Sequence, residues 1–287
     1  MKKIFTKFLI LSIFSVSVLE MDKTKAFVPD YYLPSQNNLK KESINIGQHA
    51  YQLLYYGQIK ESLNLAKLAI KINKRDARLW LILSETQIAN NQYENALISL
   101  NEAQKINPKR SGIYFSKGSI YLQQSKFKKA KLALKTGLKI EKDNHNAMFQ
   151  LGNIFLIEKD YSTAIKQFED ATKIKPDFWQ AINNKGLAYF EKDKINLSKT
   201  YFKKAIAIQE NAEPLLALAA CLRIEDRESA ISLAKKALIQ NPKYVTYKYR
   251  KEQLWGEKLQ YSTEKLFEIN ELQEEVLFAK SKIDKSS

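Results

Sequence analysis

Two histidines and a single cysteine are the whole stock of metal-binding and strongly nucleophilic side chains in this sequence. His49 and His145 stand far apart, one at an inward-facing helical position and the other at a helix start, where packing or capping would occupy them. Cys221 sits in the apolar run Leu218-Ala219-Ala220-Cys221-Leu222, where a thiol acts as a small buried side chain. It has no partner for an internal disulfide, so an oxidising compartment is neither required nor excluded. The carboxylates Glu158, Asp160 and Glu169 fall on a polar turn and a polar face, as solvated groups do. No nucleophile–base set, metal-spaced Cys/His cluster or Gly-rich phosphate loop is present. The expectation is a protein without catalysis, metal or cofactor, whose chemistry is that of binding.

The elements that must position binding residues announce themselves by period. Ala77 to Arg110 holds two apolar-periodic segments joined by the polar turn Asn90-Asn91-Gln92, and the second ends at Ile106-Asn107-Pro108, where proline stops a helix. Trp80, Leu83, Ser84, Tyr93, Ala96, Leu100, Ala103 and Pro108 set a template. It fits again 34 residues on at Tyr114, Gly118, Tyr121, Phe127, Ala130, Leu134 and Gly137. The next copy has Met148, Leu151, Gly152, Phe155, Tyr161, Ala164, Phe168, Ala171 and Pro176, and another has Gly186, Tyr189, Ser198, Phe202 and Ala205. Weaker copies flank these, at Ala50 to Ala69 and at Ala230 to Pro242. Small residues at fixed places let two antiparallel helices approach closely, with Leu and aromatic side chains filling the space between. Gly152 and Ala164 are expected to meet at one such crossing.

This pattern resembles the tetratricopeptide repeat family over residues 43–244. The resemblance implies an all-α fold, an α-solenoid of about six antiparallel helix pairs in a right-handed superhelix. The pairs are placed at 43–76, 77–110, 111–144, 145–178, 179–212 and 213–244. It further implies that the first helix of each pair lines a concave, protein-binding groove. The inward positions of the family fall here on Tyr51, Tyr55, Glu85, Phe115, Ser119, Gln123, Phe149, Asn153, Asn183 and Asn184. Asn and Gln donate and accept together, which suits the main chain of an extended peptide, and aromatics beside them offer apolar anchors. Each of these residues has a second reading as an ordinary inter-helix contact. The carboxylate-clamp subtype is disfavoured: Asn153 matches one clamp position, but Gly47, Leu81, Phe115, Phe149 and Asn183, with Gly112 and Ser116, stand where its cations would.

The formal charge is +16, yet only six of the 47 basic residues are Arg. Nucleic-acid sites favour the bidentate Arg fork, so a nucleic-acid partner is not expected. The lysines read as a solvated basic surface or, more sharply, as a surface for anionic membrane lipid. The partners expected are a protein or extended peptide segment, with a membrane-surface adaptor as the alternative.

The chain opens with Lys2, Lys3 and Lys7 ahead of a 12-residue apolar run, Phe8 to Leu19, too short for a membrane span of about 20 residues. That combination reads as an export signal in 1–26, cut after Thr24-Lys25-Ala26; the charged Glu20, Asp22, Lys23 and Lys25 keep open an uncleaved membrane anchor. Residues 27–42, with Pro29 and Pro34, read as an extended linker. Residues 245–287 read as capping helices: Val245 to Leu259, with Tyr247, Leu254, Trp255 and Leu259 as core contacts, then Thr263 to Phe278, then a fraying end. Phe178 to Leu187 and Leu254-Trp255-Gly256-Glu257, with the exported start and Phe27-Val28-Pro29, resemble cyanobacterial and chloroplast tetratricopeptide proteins of photosynthetic membranes. The expected location is outside the cytoplasm (periplasm or thylakoid lumen) or anchored at a membrane. Mass measurement of the native protein checks this: a start at Phe27, or membrane attachment through residues 8–19, is expected. A soluble cytoplasmic protein retaining Met1 would exclude both forms.

Overall fold

A computed structural model describes residues 35–284, and the apolar run at residues 8–19 lies outside them. Six helix pairs follow in chain order. They are α1 (Gln36–Tyr55) with α2 (Ile59–Ile72), α3 (Ala77–Ala89) with α4 (Tyr93–Ile106), and α5 (Ser111–Gln123) with α6 (Phe127–Ile140). Then come α7 (His145–Ile157) with α8 (Tyr161–Ile174), α9 (Trp179–Glu191) with α10 (Ile195–Ile208), and α11 (Ala212–Leu222) with α12 (Arg227–Gln240). No strand occurs among the described residues. Each pair packs on the next, and successive first helices also touch, α1 with α3, α3 with α5 and α7 with α9. That closer approach bends the array toward its first helices, which therefore form the concave wall.

The turn inside a pair repeats in its backbone as well as its sequence. Gly57, Asn91, Ser125, Lys159 and Asp193, each 34 residues apart, all have φ between 55° and 76°. At each, two backbone N–H groups reach back to the last turn of the first helix, as in Lys159 N to Leu156 O (3.0 Å) and Asp160 N to Phe155 O (2.9 Å). This double closure satisfies the end carbonyls and reverses the chain in two residues.

Close approach inside a pair depends on a side chain filling the place of a missing one. A Cβ added at Gly152 would run into the ring of Phe168; one at Gly186 would lie 2.7 Å from Phe202, and one at Gly118 2.6 Å from Leu134. A side chain at Gly152 would meet Phe168, one turn beyond Ala164, because the buried ring needs bare backbone to lie on. Where the second helix brings serine in place of alanine, the hydroxyl donates to a first-helix carbonyl: Ser62 to Ala50 O at 2.7 Å and Ser198 to Gly186 O at 2.9 Å.

Both ends depart from expectation. Residues 36–42, expected as the end of an extended linker, already belong to α1, whose first turn is capped by Ser35 accepting from Asn38 N at 3.2 Å. His49 is exposed rather than inward. His145 does pack, edge-on to Phe178 at 5.3 Å. The segment expected as one helix from Val245 to Leu259 is broken. A 3-10 turn (Pro242–Val245) leads into α13 (Tyr247–Glu252), Leu254 takes φ 67°, and α14 (Glu257–Phe267) begins afresh. Trp255 and Leu259 are buried as expected, but Tyr247 is exposed and hydrogen-bonds Glu257 at 3.0 Å. The second expected helix, Thr263 to Phe278, is interrupted by a 3-10 turn (Asn270–Leu272) before α15 (Gln273–Asp284), which lets Ile269 and Leu272 enter the core.

This segment does more than close the end of the array. The 3-10 turn after α12 and α15 pack on α12, whereas α14 packs on α11 and α9, on the first-helix side. Arg250, fully buried, ties the unit together. It donates to Gln260 Oε1 (2.7 Å), Tyr244 O (2.8 Å) and Val245 O (3.0 Å), and it pairs with Glu264.

Two glycine substitutions test the packing. Gly152→Ala forces its methyl against Phe168 and should cost about 1–3 kcal/mol, lowering the thermal midpoint. Gly112→Ala, with nothing within 4 Å of the added Cβ, should leave it unchanged or slightly higher.

Candidate functional site

The concave wall carries a pocket of about 640 Å³ across α5, α7 and α9. From α5 come Ser119, Leu122 and Gln123; from α7, Phe149, Gln150, Asn153 and Ile157; from α9, Trp179, Gln180 and Asn184. Glu213 of α11 and the Glu252-Gln253-Leu254 corner at the end of α13 close one end. The pocket exists because the chain's own C-terminal segment stops the groove there.

Its polar side chains are ordered by one another. Gln150 Nε2 donates to Ser119 Oγ at 2.9 Å, tying α7 to α5. Asn183 Nδ2 donates to Asn184 Oδ1 at 3.2 Å, and Asn184 Nδ2 donates to Asn153 Oδ1 at 2.8 Å, tying α9 to α7. Phe149 is half-buried, its ring 4.9 Å from Phe178 and 5.9 Å from Phe168, so it is held rather than free to swing. A row of amides beside a fixed aromatic edge can pair with main-chain N–H and C=O groups while offering an apolar contact.

Of the sequence-predicted groove residues, Ser119, Gln123, Phe149, Asn153 and Asn184 line this pocket. Phe115, one repeat before Phe149, instead lays its half-buried ring over Gly137 of α6 and packs within its own helix pair. Asn183 is fully buried, because the C-terminal segment covers α9. Glu85 lies in a separate depression with Leu81 and Arg110, and burial raises its carboxyl, with Arg110 pulling the other way. Tyr51 and Tyr55 stand exposed on α1, away from the pocket. Sequence reading missed Leu122, Gln150, Ile157, Trp179, Gln180, Glu213 and the corner at 252–254. A lone acid in the apolar run Ala212 to Leu222 was a legible signal for Glu213; the corner depends on a fold-back that no local pattern announces.

The same repeat positions have two uses. Ser119 and Gln123 of α5, with Phe149, Asn153 and Ile157 of α7, face the pocket. Their counterparts on α9 are Asn183, Leu187 and Glu191, of which Leu187 and Glu191 hold the C-terminal segment. Leu187 joins the core cluster of Trp255 and Leu259. Glu191 Oε1 accepts from Leu259 N at 3.0 Å, capping the start of α14, where a Cβ at Gly256 would collide with that carboxylate.

Glu213 joins the pocket to the fold. Its carboxyl accepts from Trp255 Nε1 at 3.2 Å and hydrogen-bonds with Asn183 and Tyr244, so it fastens the C-terminal segment to α9. Burial pushes it up to about 7, against those three hydrogen bonds. Elsewhere burial pushes the Cys221 thiol up to about 12, which leaves it a poor nucleophile. Among the described residues no group of three or more His, Cys, Asp or Glu could hold a metal ion, and no helix is long and apolar enough to cross a membrane.

The Glu213 shift fixes the sign of a pH effect. The unfolded carboxyl loses its proton near 4.5 and the folded one near 7, so Glu213's contribution is fully present below pH 4.5 and is lost as pH rises through 7. The loss is of the order of 3 kcal/mol. Glu213→Gln should therefore gain stability relative to the wild type between pH 5 and pH 8, read from thermal melts at the two pH values. Equal differences at both would remove Glu213 from this role.

Family models described as tetratricopeptide repeat match residues 77–110 and 180–211 in one case and residues 115–177 in another. No functionally curated protein is similar enough to count as a match. Among solved structures, PilF of Pseudomonas aeruginosa aligns with a TM-score of 0.65 at 15% identity, over 77% of this chain and 99% of its own. The MamA protein aligns with a TM-score of 0.52 at 22% identity, over 61% of this chain and 93% of its own. YrrB, described as a TPR protein with an unusual peptide-binding site, aligns with a TM-score of 0.51 at 19% identity, over 63% of this chain and 96% of its own. At such identities these likenesses speak for the fold. With the stacked helix pairs and their 34-residue backbone period, they establish that this chain carries tetratricopeptide repeats arranged as an α-solenoid.

Proposed function

We propose that the protein is a non-enzymatic scaffold that holds an extended protein segment in the concave pocket of α5, α7 and α9. One observation carries the reading. Two of the repeat positions that face the pocket from α5 and α7 are, on α9, already engaged with polypeptide: Leu187 and Glu191 hold the chain's own residues 254–259. A wall that binds its own chain through one repeat leaves the matching side chains of two earlier repeats open. YrrB's description as a peptide-binding repeat protein lends support by analogy of fold.

The basic leader and the apolar run at residues 8–19 favour a setting outside the cytoplasm or at a membrane. The motifs at 178–187 and 254–257 are what favour assembly of photosynthetic membrane or pigment–protein complexes. The alternative is an adaptor whose basic second helices rest on anionic lipid, although some of those lysines are already engaged by carboxylates. Lys131 bonds Glu158 at 2.7 Å, Lys199 bonds Glu225 at 2.6 Å and Lys236 bonds Glu210 at 2.6 Å.

Selection of 12-residue peptides on the purified protein, followed by anisotropy titration, tests the reading. Phe149→Ala should weaken the selected peptides about 30-fold, equivalent to about 2 kcal/mol for a buried aromatic anchor. Lys166→Ala, exposed on α8, should leave them unchanged. Affinity untouched by the double change Phe149→Ala and Asn153→Ala would exclude the pocket. Vesicle binding lost with the second-helix lysines and indifferent to Phe149 would favour the adaptor.

A further inference from the structure

The charges around the pocket run against the charge of the chain. The protein is formally +16, with 47 Lys and Arg against 31 Asp and Glu, yet no Lys or Arg lines this pocket. Its two charged residues, Glu213 and Glu252, are both acidic and both stand at the closed end. Neither forms an ion pair among the described residues.

That departs from the treatment of the other buried charges. Lys185 pairs with Glu169 at 2.7 Å, Arg250 pairs with Glu264, and Glu191, which accepts the backbone N–H groups that open α14, also feels the positive charge of Lys258. Glu213, 9% exposed, meets only neutral donors from Trp255, Asn183 and Tyr244, at the first turn of α11. The closed end therefore carries two carboxyl groups and no cation. Two flat aromatic residues, Phe149 and Trp179, also line the pocket, and aromatic faces attract cations.

Resting on the peptide-holding reading above, we infer that the closed end selects segments bearing a cationic nitrogen, seated between Glu252 and Glu213. A carboxylate rewards such a group with charge-assisted hydrogen bonds and returns nothing to a neutral side chain of the same length. The whole-chain positive field does not oppose this at close range, since charges beyond about 8 Å are screened at physiological salt. The cation is a Lys or Arg side chain or a free chain amino group, two sources with one chemistry.

Fluorescein-labelled 12-residue peptides of one Gly/Ser/Leu/Asn composition separate the cases. Three are N-acetylated and carry Lys, norleucine or Glu at the centre; a fourth carries norleucine and a free amino terminus. The Lys peptide should bind at least tenfold tighter than its norleucine twin and tighter still than the Glu peptide. Glu252→Gln, on the exposed end of α13, should shrink that gap without altering the thermal midpoint. A gap shown by the free-amine peptide instead assigns the cation to a chain terminus. Equal affinity for all four, with Phe149→Ala still weakening them, overturns the inference and leaves the groove reading standing. Binding that is absent, or indifferent to Phe149→Ala, overturns both.

Discussion

The ring of Phe168 lying on the bare backbone of Gly152 is the contact on which the array depends. Two helices that close to one another bury a strip of small residues on one side and a row of large ones on the other. The same relation recurs at Gly118 with Leu134 and at Gly186 with Phe202. Because small residues recur there at a fixed interval, each pair offers the next a similar apolar face, and no pair can bury that face by itself. The left-handed residues at 57, 91, 125, 159 and 193 keep the two helices of a pair at one spacing, so the stacking continues without drift.

An array of this sort has a problem at its end, where the last face lacks a neighbour. Here the solution reaches around the last pair. The 3-10 turn at Pro242–Val245 and α15 cover α12, while α14 crosses to the first-helix side and covers α11 and α9. The cost is polar burial, met residue by residue: Arg250 with three oxygen acceptors and Glu264, Glu191 with the start of α14, Glu213 with three donors. The consequence is functional geometry. A groove that would have run open through six pairs is stopped at the fifth, and the stop turns a channel into a pocket with a floor, a wall of amides and an acidic end.

Glu213 stands where stability and binding meet. Its carboxyl fastens the C-terminal segment and lines the pocket. Its high affinity for a proton reflects the same burial that makes it useful as an acceptor for a ligand donor. A cation brought to that end would hold the carboxyl ionised, so occupancy of the pocket and docking of the C-terminal segment are thermodynamically linked.

Sequence alone determined the helix pairs and their 34-residue period, because those follow from local periodicity and from the small residues a close crossing requires. The inward positions implied by the family resemblance included Ser119, Gln123, Phe149, Asn153 and Asn184, which line the pocket. Tertiary structure decided the rest. Phe115 and Phe149 share a repeat position, but only the neighbours of each decide which ring edge reaches the pocket. Asn183, equivalent to both, is covered because residues 254–259 fold onto α9 from far along the chain. The break at Leu254 and Gly256 looked like the middle of an amphipathic helix, since a helical period says nothing of a distant carboxylate. Glu191 supplies that carboxylate, and its bonds to the N–H groups of Lys258 and Leu259 start a new helix where the pattern alone would have continued the old one.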